Sequence, residues 1–470
     1  MLLILALLVQ ERHVSTSGAD ANAGTSDAPW RTIQKAAREA RPGDVVLIHA
    51  GTYAENVAIE VSGSEGKPIT FKAAGDGPAR IDGAQRPADD PLILIENRSH
   101  LVIEGLELLN AETDNPEVVP CGVWLKGAGE DVALRKLKVS RIRQLSKKDG
   151  DAHGIAVYGT DGKVPWSRVA VEGCEIFDCR LGSSEALALN GNVDVFLVAD
   201  NTVRDCDNIG IVAIGHEKTA PANDQARRGK IVGNKVFHIS SFGNPSYGDE
   251  RSAAGIYVDG GRDILIERNL VRQCDYGIEV GCENPGTATD VVVRSNVLYR
   301  NSVAGLIFGG YDEKRGSVER CLFAHNTLWS NDTTDSGSGE IVIQKSRDNV
   351  LRHNLIVPGA KGLAITNPFD SPGNSANWNV YGVKSPSFVW REKEVESFAA
   401  FRQAGQERDG RVGEPHFADL PTGDLRPRRE SAAVNAGDPA FKAAPGELDF
   451  SGAPRVAGPR VDAGAFELQR

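Results

Sequence analysis

The chain lacks the features that mark membrane-spanning, nucleic-acid-binding and nucleotide-binding proteins. No run of about 18 apolar residues occurs, so no segment has the length of a transmembrane helix. The 64 acidic residues outnumber the 53 basic ones, which gives a formal net charge of -11. No basic cluster with interleaved aromatic residues is present, which argues against a nucleic-acid partner. A phosphate-binding glycine loop, a serine nucleophile elbow and a zinc-type Cys/His cluster are also missing.

Cysteine is scarce and is not spaced for metal binding. The seven cysteines are an odd number, and none forms a CxxC pair. Cys179, Cys206 and Cys274 each lie five residues after an equivalent position of a repeat described below. We expect small buried side chains there, with a disulfide between neighbouring coils as the alternative. No cysteine catalysis is expected.

A single apolar run opens the sequence. Residues 1–9 read MLLILALLV, which is too short to span a bilayer. The run has the apolar core of a signal peptide but lacks the usual basic start. We therefore expect residues 1–10 to be a signal-peptide remnant and the protein to be secreted, periplasmic or attached to the cell surface.

The feature that does stand out is a short phrase that recurs along the chain. It consists of a glycine followed by alternating apolar residues, with 22 residues between Gly255 and Gly277 and 45 between Gly210 and Gly255. Repeats with such periods are typical of stacked architectures. The phrase begins at Gly122, Gly154, Gly210, Gly255, Gly277, Gly305 and Gly362, with degenerate copies at Ala186 and Glu340.

Each repeat also contains a second strand-like segment that includes an asparagine. Asparagine accepts left-handed turn conformations and carries both a donor and an acceptor. Repeated once per coil, the amides are expected to stack and hydrogen-bond along the axis, as a structural feature. The column is formed by Asn201, Asn234, Asn269, Asn296, Asn326 and Asn354.

The ends of the chain depart from the repeat. Residues 27–43 have apolar residues at helical spacing and finish at Pro42-Gly43, which predicts a helix that caps the first coil. Residues after 367 are richer in proline, glycine and aspartate and show no repeat. We therefore expect residues 11–366 to form the coil with its cap and residues 367–470 to form an irregular segment that packs on it.

Several segments resemble the right-handed parallel β-helix proteins of the pectate-lyase-like superfamily. They are residues 29–36 (PWRTIQKA), 42–46 (PGDVV), 50–57 (AGTYAENV) and the closing residues 462–467 (DAGAFE). The resemblance implies an all-β, right-handed parallel β-helix that acts on polysaccharides. The N-terminal part is similar to family 9 polysaccharide lyases, which use a calcium site of aspartates and a lysine base. Asp151 matches their first acid, whereas Ser183 and Ser184 replace the following aspartates.

A candidate site follows from side chains that alternate across the glycine-led strands. Residues two and four positions after the glycine are expected to face solvent. Most are small, but Tyr257 and Glu279 fall in one column, about 4.8 Å apart at the backbone, with Asp259 two residues further on. The expected catalytic residues are Tyr257, Asp259, Glu279 and His216. The expected substrate-binding residues are Asn190, Arg227, Tyr247, Arg251 and Tyr311, and the expected Ca2+ ligands are Glu217, Glu283 and Asp249.

Three functions compete for this site. We expect first a lyase that cleaves a uronate-containing polysaccharide by β-elimination, with Ca2+ or an arginine acidifying the C5 proton. The second is an inverting glycoside hydrolase with Asp259 and Glu279 as acid and base. The third is a carbohydrate-binding surface without catalysis. Purely solvated charges remain possible, since Asp259-Gly260-Gly261 is itself a turn signature and His216 suits a surface loop. A monomer that uses no organic cofactor is expected.

Overall fold

The computed structural model describes residues 10–469, so the signal-peptide expectation, Gln10 apart, falls outside the described residues. The described chain is nearly all β, with two short helices, and it has the right-handed parallel β-helix fold that the repeat and the resemblance predict. Neither helix has the length and hydropathy of a membrane span. The chain divides into two compact units, residues 1–197 with 219–223, and residues 198–218 with 224–470.

The first unit consists of three parallel sheets, here named sheets A, B and C. Sheet A contains Glu11–Val14, Val45–Ile48, Ile69–Ala73, Leu101–Glu104, Gly129–Arg135 and Trp166–Glu172. Sheet B contains Gly51–Tyr53, Ala79–Asp82, Glu107–Thr113, Lys138–Gln144 and Glu175–Cys179. Sheet C contains Val57–Ile59, Ile93–Glu96, Cys121–Gly127, His153–Gly159 and Leu187–Gly191. The strand Val193–Ala199 crosses the boundary between the units.

The second unit repeats the same three-sheet pattern. Sheet A contains Arg227–Val232, Arg262–Glu267, Val292–Arg294, Leu322–Ala324, Val350–Arg352 and Ser375–Asn377, with side strands Thr287–Thr289, Ser317–Glu319 and Ser346–Arg347. Sheet B contains Thr202–Cys206, Lys235–Ile239, Leu270–Arg272, Val297–Tyr299, Thr327–Trp329, Leu355–Val357, Val380–Tyr381 and Arg411–Val412. Sheet C contains Ile211–Ile214, Ala254–Asp259, Tyr276–Gly281, Ala304–Phe308, Ile341–Ile343, Leu363–Thr366, Ser387–Trp390 and the antiparallel Lys393–Val395.

The N-terminal helix is shorter than its apolar pattern, because it spans only Ile33–Glu39. Thr32 caps it by accepting a hydrogen bond from the Lys35 amide, so the residues before Thr32 stay extended. The Gln34 side chain donates to the Ala58 carbonyl and accepts from the Ala58 amide, at 3.0 and 2.8 Å. One side chain thus supplies the peptide partner that the first strand of sheet C lacks, which is the capping role expected for this helix.

Asparagine amides form a continuous ladder in the second unit, as predicted. Asn296 shows the pattern: its side-chain oxygen accepts from the backbone and side-chain amides of Asn269, and its own amide donates to Asn326 and to the Ile266 carbonyl. The rungs are Asn201, Asn234, Asn269, Asn296, Asn326, Asn354 and Asn379. Asn379 then donates to the buried carboxyl of Glu407, which ends the row.

A second, shorter ladder ends on Glu340. Asn301 donates to Asn331, and Asn331 donates its backbone and side-chain amides to the two oxygens of the fully buried Glu340 carboxyl. Burial raises the pKa of Glu340 to about 8. In the longer ladder, a single amide oxygen accepts from both the backbone and the side-chain amide of the preceding asparagine. A glutamine at position 340 can therefore accept both hydrogen bonds from Asn331 through its one amide oxygen.

We expect Glu340→Gln to flatten the pH dependence of stability between pH 4.5 and 8. The folded protein holds a proton on Glu340 that the unfolded chain releases near its ordinary pKa, so native stability falls as pH rises through this window. The variant has no such proton and should lose less stability at pH 8. Urea unfolding at pH 5 and pH 8 measures the difference, and an equal loss in both proteins would contradict the assignment.

The closing segment has both regular and irregular parts. Parallel pairing continues past residue 366 to Arg411–Val412, and a second helix, Phe398–Gln403, precedes that last strand. Beyond it lies a small antiparallel pair, Phe417–Asp419 with Asp424–Pro427. Side chains of this segment cover sheet B of the second unit. The cluster includes Phe417, Leu425, Ala433, Ala463 and Phe466 against Val297, Leu355 and Val357.

All seven cysteines are buried and free. Burial raises the pKa of the Cys274 thiol to about 12, so this residue behaves as the small apolar filler expected at this position. The alternative of a disulfide at Cys179, Cys206 or Cys274 is not formed in the structure.

Candidate acid–base site on sheet C

The outward face of sheet C is more covered than its alternation predicts. Val212, Tyr257 and Ile307 were expected to face solvent, but they are only 1, 4 and 3% exposed. The expectation is wrong here, and at Ile307 the reason is that Tyr276 packs over that side chain and Val342. A polar group on this face therefore sits in a partly dry environment.

Three carboxyl groups and a tyrosine meet at one end of this face. Tyr257 pairs with Glu279 on the next strand, and Asp259 pairs with Gly281. A Cβ on Gly281 would lie 2.9 Å from the Tyr257 hydroxyl, so the glycine leaves the space that the phenol occupies. The Tyr257 hydroxyl donates to Glu283 at 3.4 Å, and the Glu283 amide donates to the Asp259 carboxyl at 2.7 Å. We call Tyr257, Asp259, Glu279 and Glu283 the acidic cluster.

Burial and the neighbouring carboxylates raise the pKa values of Asp259, Glu279 and Tyr257. Asp259 is 3% exposed, and desolvation, followed by the charge of Glu283, raises its pKa to about 8. Desolvation also raises the pKa of Glu279 well above its ordinary value, with Glu283 and Asp259 adding to the effect. The same causes raise the pKa of Tyr257 far above that of free tyrosine. At neutral pH, Asp259 and Tyr257 are thus hydrogen-bond donors, and the same burial favours the protonated form of Glu279.

Arg315 is the cation beside the acidic cluster. Its guanidinium donates to the Glu283 carbonyl at 3.1 Å and lies 4.5 Å from the centre of the Tyr311 ring. Its charge lowers the pKa of Asp259, against the larger effect of burial. Tyr311 is 46% exposed and forms a stacking surface at the edge of the cluster. Of the expected substrate-binding residues, Tyr311 is the one placed at the acidic cluster.

His216 packs in the turn behind the acidic cluster. A Cβ on Gly260 would lie 2.9 Å from its ring and one on Gly286 2.5 Å, so both glycines make room for the imidazole. Its Nε2 lies 3.3 Å from the Gln225 amide, which also donates to the Gly260 carbonyl. His216 has a left-handed backbone, with φ of 67°. The structure thus packs His216 against this turn, and its expected role as a base stays a prediction.

The other expected substrate-binding residues have structural partners. The Asn190 oxygen accepts from the Thr219 hydroxyl within the first unit, at 2.7 Å. Arg227 donates to the Gln225 carbonyl, and the Tyr247 hydroxyl accepts from Asn208. Arg251 pairs with the fully buried Asp275 at 3.3 Å. Tyr247 and Arg251 precede strand Ala254–Asp259, whereas Glu283 and Tyr311 follow their strands, so the two sets lie at opposite edges of sheet C.

The three expected calcium ligands do not converge. Glu217 is exposed, and its charge raises the pKa of Asp259; Asp249 lies at the opposite edge of sheet C from Glu283. In residues 10–469, the single group of three candidate ligands with atoms within 4.8 Å of one another is His100, Glu130 and Asp131. Arg168 already forms ion pairs with both of those acids.

The position that matches the first family 9 acid is also unsuited to calcium. The Asp151 carboxyl accepts hydrogen bonds from the hydroxyls of Ser183 and Ser184, at 2.7 and 2.8 Å. Two hydroxyl donors take the place of further carboxylates, so the charge that a calcium site needs is missing there. The donors around the Asp151 carboxyl therefore do not fit the expected Ca2+.

Arg315 and Tyr276 were missed by sequence reasoning. Both belong to the site: Arg315 touches Glu283, and the pKa of Tyr276 is raised by burial and by the charge of Glu279. Arg315 stands in a turn with no repeat pattern, and Tyr276 precedes its glycine, outside the columns that the alternation defines. Their position at the site depends on which strand ends lie close together in space, and the sequence does not show this.

Comparisons with known proteins agree with the fold. The family model described as "Pel9A-like, right handed beta helix region" matches residues 12–161, and "Right handed beta helix region" matches residues 93–315. The Bacillus subtilis (strain 168) protein described as uncharacterized protein YwoF is 37% identical over 417 residues, which cover 87% of this chain and 88% of that protein.

Two further matches are proteins described as pectate lyases. Pectate lyase PEL9 of Emericella nidulans is 27% identical over 203 residues, and the match covers 40% of this chain and 47% of that protein. The crystal structure of pectate lyase Pel9A superposes with a TM-score of 0.53 at 14% identity, covering 98% of this chain and 97% of that one. At that identity, the structural likeness shows the fold and not the activity.

Proposed function

We infer the function from one premise: the chain belongs to the family of Bacillus subtilis YwoF and is a pectate-lyase-like right-handed parallel β-helix protein. We propose that it is a polysaccharide lyase that cleaves a uronate-containing polymer by β-elimination at the acidic cluster. The observation that carries the proposal is the convergence of Asp259, Glu279, Glu283 and Tyr257, where burial raises the pKa values of Asp259 and Glu279.

The first requirement of β-elimination is to neutralise the uronate carboxylate, which makes the C5 proton acidic. Protonated Asp259 and Glu279 can each donate a hydrogen bond to that carboxylate. Such charge-assisted bonds are the strong ones, and they strengthen as charge develops on the enolate. This route uses side chains that the structure places together and draws no step from a metal.

The second requirement is a base and an acid. We assign the base to Glu283, which is partly exposed and lies beside the Arg315 guanidinium. Glu283 takes the C5 proton, the C4–O4 bond breaks as the C4–C5 double bond forms, and the Tyr257 phenol protonates the leaving O4. The proton on Glu283 then returns to Tyr257 across their 3.4 Å contact, which restores both groups.

Product analysis tests this proposal. The purified protein is incubated with polygalacturonate, alginate and glycosaminoglycans, and with neutral polymers, each with and without a chelator. We expect products that absorb in the ultraviolet from at least one acidic polymer, because elimination leaves a conjugated double bond. Their release should survive the chelator. Cleavage that depends on added Ca2+ would contradict the neutralising role of Asp259 and Glu279.

Hydrolysis is the second candidate, since a pKa of about 8 suits Asp259 as a general acid. The pairing of Asp259 with Glu279 as acid and base is not favoured, because the pKa values of both are shifted upward. Glu283 would serve as the base instead. New reducing ends without ultraviolet absorbance would select this function, and retention on a polymer without cleavage would select binding alone.

The pH profile of the lyase should show a loss of activity above pH 8. Asp259 must carry its proton to neutralise the substrate, and it releases that proton near its pKa of about 8. We expect kcat/KM to fall by about tenfold per pH unit beyond that point. Asp259→Asn keeps a donor that does not titrate and should lose this limb. An unchanged alkaline limb in the variant would remove Asp259 from the mechanism.

A further inference from the structure

The outward face of sheet C in the first unit carries an aromatic cluster that the acidic cluster does not involve. Trp124 contacts Tyr158 edge to face, with ring centres 5.6 Å apart, and contacts His153 at 6.1 Å. Trp124 pairs with Ala156 on the next strand, so a methyl group stands where a large side chain would cover the indole. Trp124 and Tyr158 remain partly exposed.

His153 fixes the orientation of Tyr158. His153 is 2% exposed, and desolvation lowers its pKa, so the ring is neutral at pH 7. Its Nδ1 lies 3.2 Å from the Glu185 carbonyl, which can only accept, so Nδ1 carries the hydrogen. Nε2 is then the acceptor for the Tyr158 hydroxyl at 3.1 Å. The phenol therefore points inward, and its ring stands as a rigid wall beside Trp124.

Lys126 adds a cation that has no acidic partner among residues 10–469. Its ammonium lies 3.8 Å from the centre of the Trp124 ring and forms no ion pair or hydrogen bond with the described residues. Its partner in the strand register is Glu96 on one side and Tyr158 on the other, and the Glu96 carboxylate does not pair with it.

The indole N–H of Trp124 is also unsatisfied. It is buried and has no acceptor within the described chain. Buried donors in folded proteins nearly always have a partner, from the protein, from water or from a ligand. An oxygen-rich molecule that displaces the Lys126 stem from the ring would offer an acceptor to this group.

We propose that Trp124, Lys126 and Tyr158 form a binding platform for one acidic sugar ring, separate from the acidic cluster. The apolar face of the sugar would stack on Trp124, with Tyr158 as the side wall, and its carboxylate would pair with Lys126. Aromatic faces suit the C–H surface of a sugar, and lysine pairs with an anion without demanding one geometry. The choice of a uronate rests on the proposed function, whereas the platform rests on the contacts above.

Binding of tetragalacturonate, measured by calorimetry and by tryptophan fluorescence, tests the platform. Glu283→Gln serves as the background, so that the ligand is not consumed. Lys126→Met should weaken binding by about 10- to 100-fold, since an ion pair to a charged partner is lost. The fluorescence change should disappear in Trp124→Phe. A neutral tetrasaccharide should bind weakly to all variants, without loss on Lys126→Met.

Lys136→Met is the matched control, because that lysine is exposed on the same unit and already pairs with Glu104. Equal loss of affinity in the Lys126 and Lys136 variants would overturn the platform, since it would reflect general charge. Unchanged affinity in Lys126→Met would also overturn the platform. In that case, cleavage of the polymer by the wild-type protein would still support the proposed function. If binding depends on Lys126 but the wild-type protein cleaves no polymer, the platform is supported and the proposed lyase function is overturned.

Discussion

Replacing Glu283 with glutamine is expected to lower kcat by about 10²- to 10⁴-fold, the range typical for loss of a general base. Glutamine keeps the size of the side chain and can accept the Tyr257 hydrogen bond through its oxygen. The backbone amide that donates to Asp259 is unaffected. What the variant loses is the ability to take a proton, so KM should change little. Initial rates on the polymer identified by product analysis provide the measurement.

Asp249→Asn is the matched control for that experiment. Asp249 is exposed at the opposite edge of sheet C and forms no hydrogen bond or ion pair with the described residues. The two substitutions remove the same charge, but only one removes it from the acidic cluster. If Glu283→Gln retains wild-type kcat with a normal melting temperature, the base is another group. If Asp249→Asn is equally damaging, the site lies at the other edge.

Asn296→Ala should lower the free energy of unfolding of the second unit by about 3–5 kcal/mol. The side chain is fully buried and serves four partners: the two amides of Asn269, the Asn326 oxygen and the Ile266 carbonyl. Truncation leaves these groups buried without partners and opens a cavity, and each unpaired group costs about 1–3 kcal/mol. Urea denaturation followed by circular dichroism measures the loss.

Asn284→Ala provides the comparison, since that asparagine lies in the same unit and its side chain makes no hydrogen bond within the described chain. We expect it to change the free energy of unfolding by less than about 0.5 kcal/mol. A similar effect at both positions would mean that the ladder contributes little beyond ordinary packing.

The repeat made the fold predictable because each coil restates the same local rules. Glycine-led strands and one asparagine per turn recur often enough for periodicity alone to indicate stacked coils, and the ladder from Asn201 to Asn354 formed as expected. The helix at residues 33–39 was also foreseeable, although the Thr32 cap shortened it.

The site was only partly predictable, because it depends on what interrupts the repeat. Strand register brought Tyr257 beside Glu279, as the spacing implied. The turns that follow each strand have no common length, so nothing in the sequence aligned Arg315 with Glu283 or separated Asp249 from it. The burial of residues on the outward face of sheet C was wrongly predicted for a related reason. The alternation of side chains along a strand shows which face a residue lies on, but it does not show that Tyr276 covers Ile307 on that face.

The amide ladder allows the number of coils to change, but it requires each coil to be complete. Every rung donates to the next asparagine on its C-terminal side and accepts from the asparagine before it, so any two rungs are interchangeable partners. A whole coil can then be gained or lost in evolution without leaving an unmatched amide, whereas a fraction of a coil cannot. In the ladder from Asn201 to Asn379, only Glu407 is tied to one position. Its carboxyl accepts from the last asparagine and has no amide to donate further, so it ends the ladder.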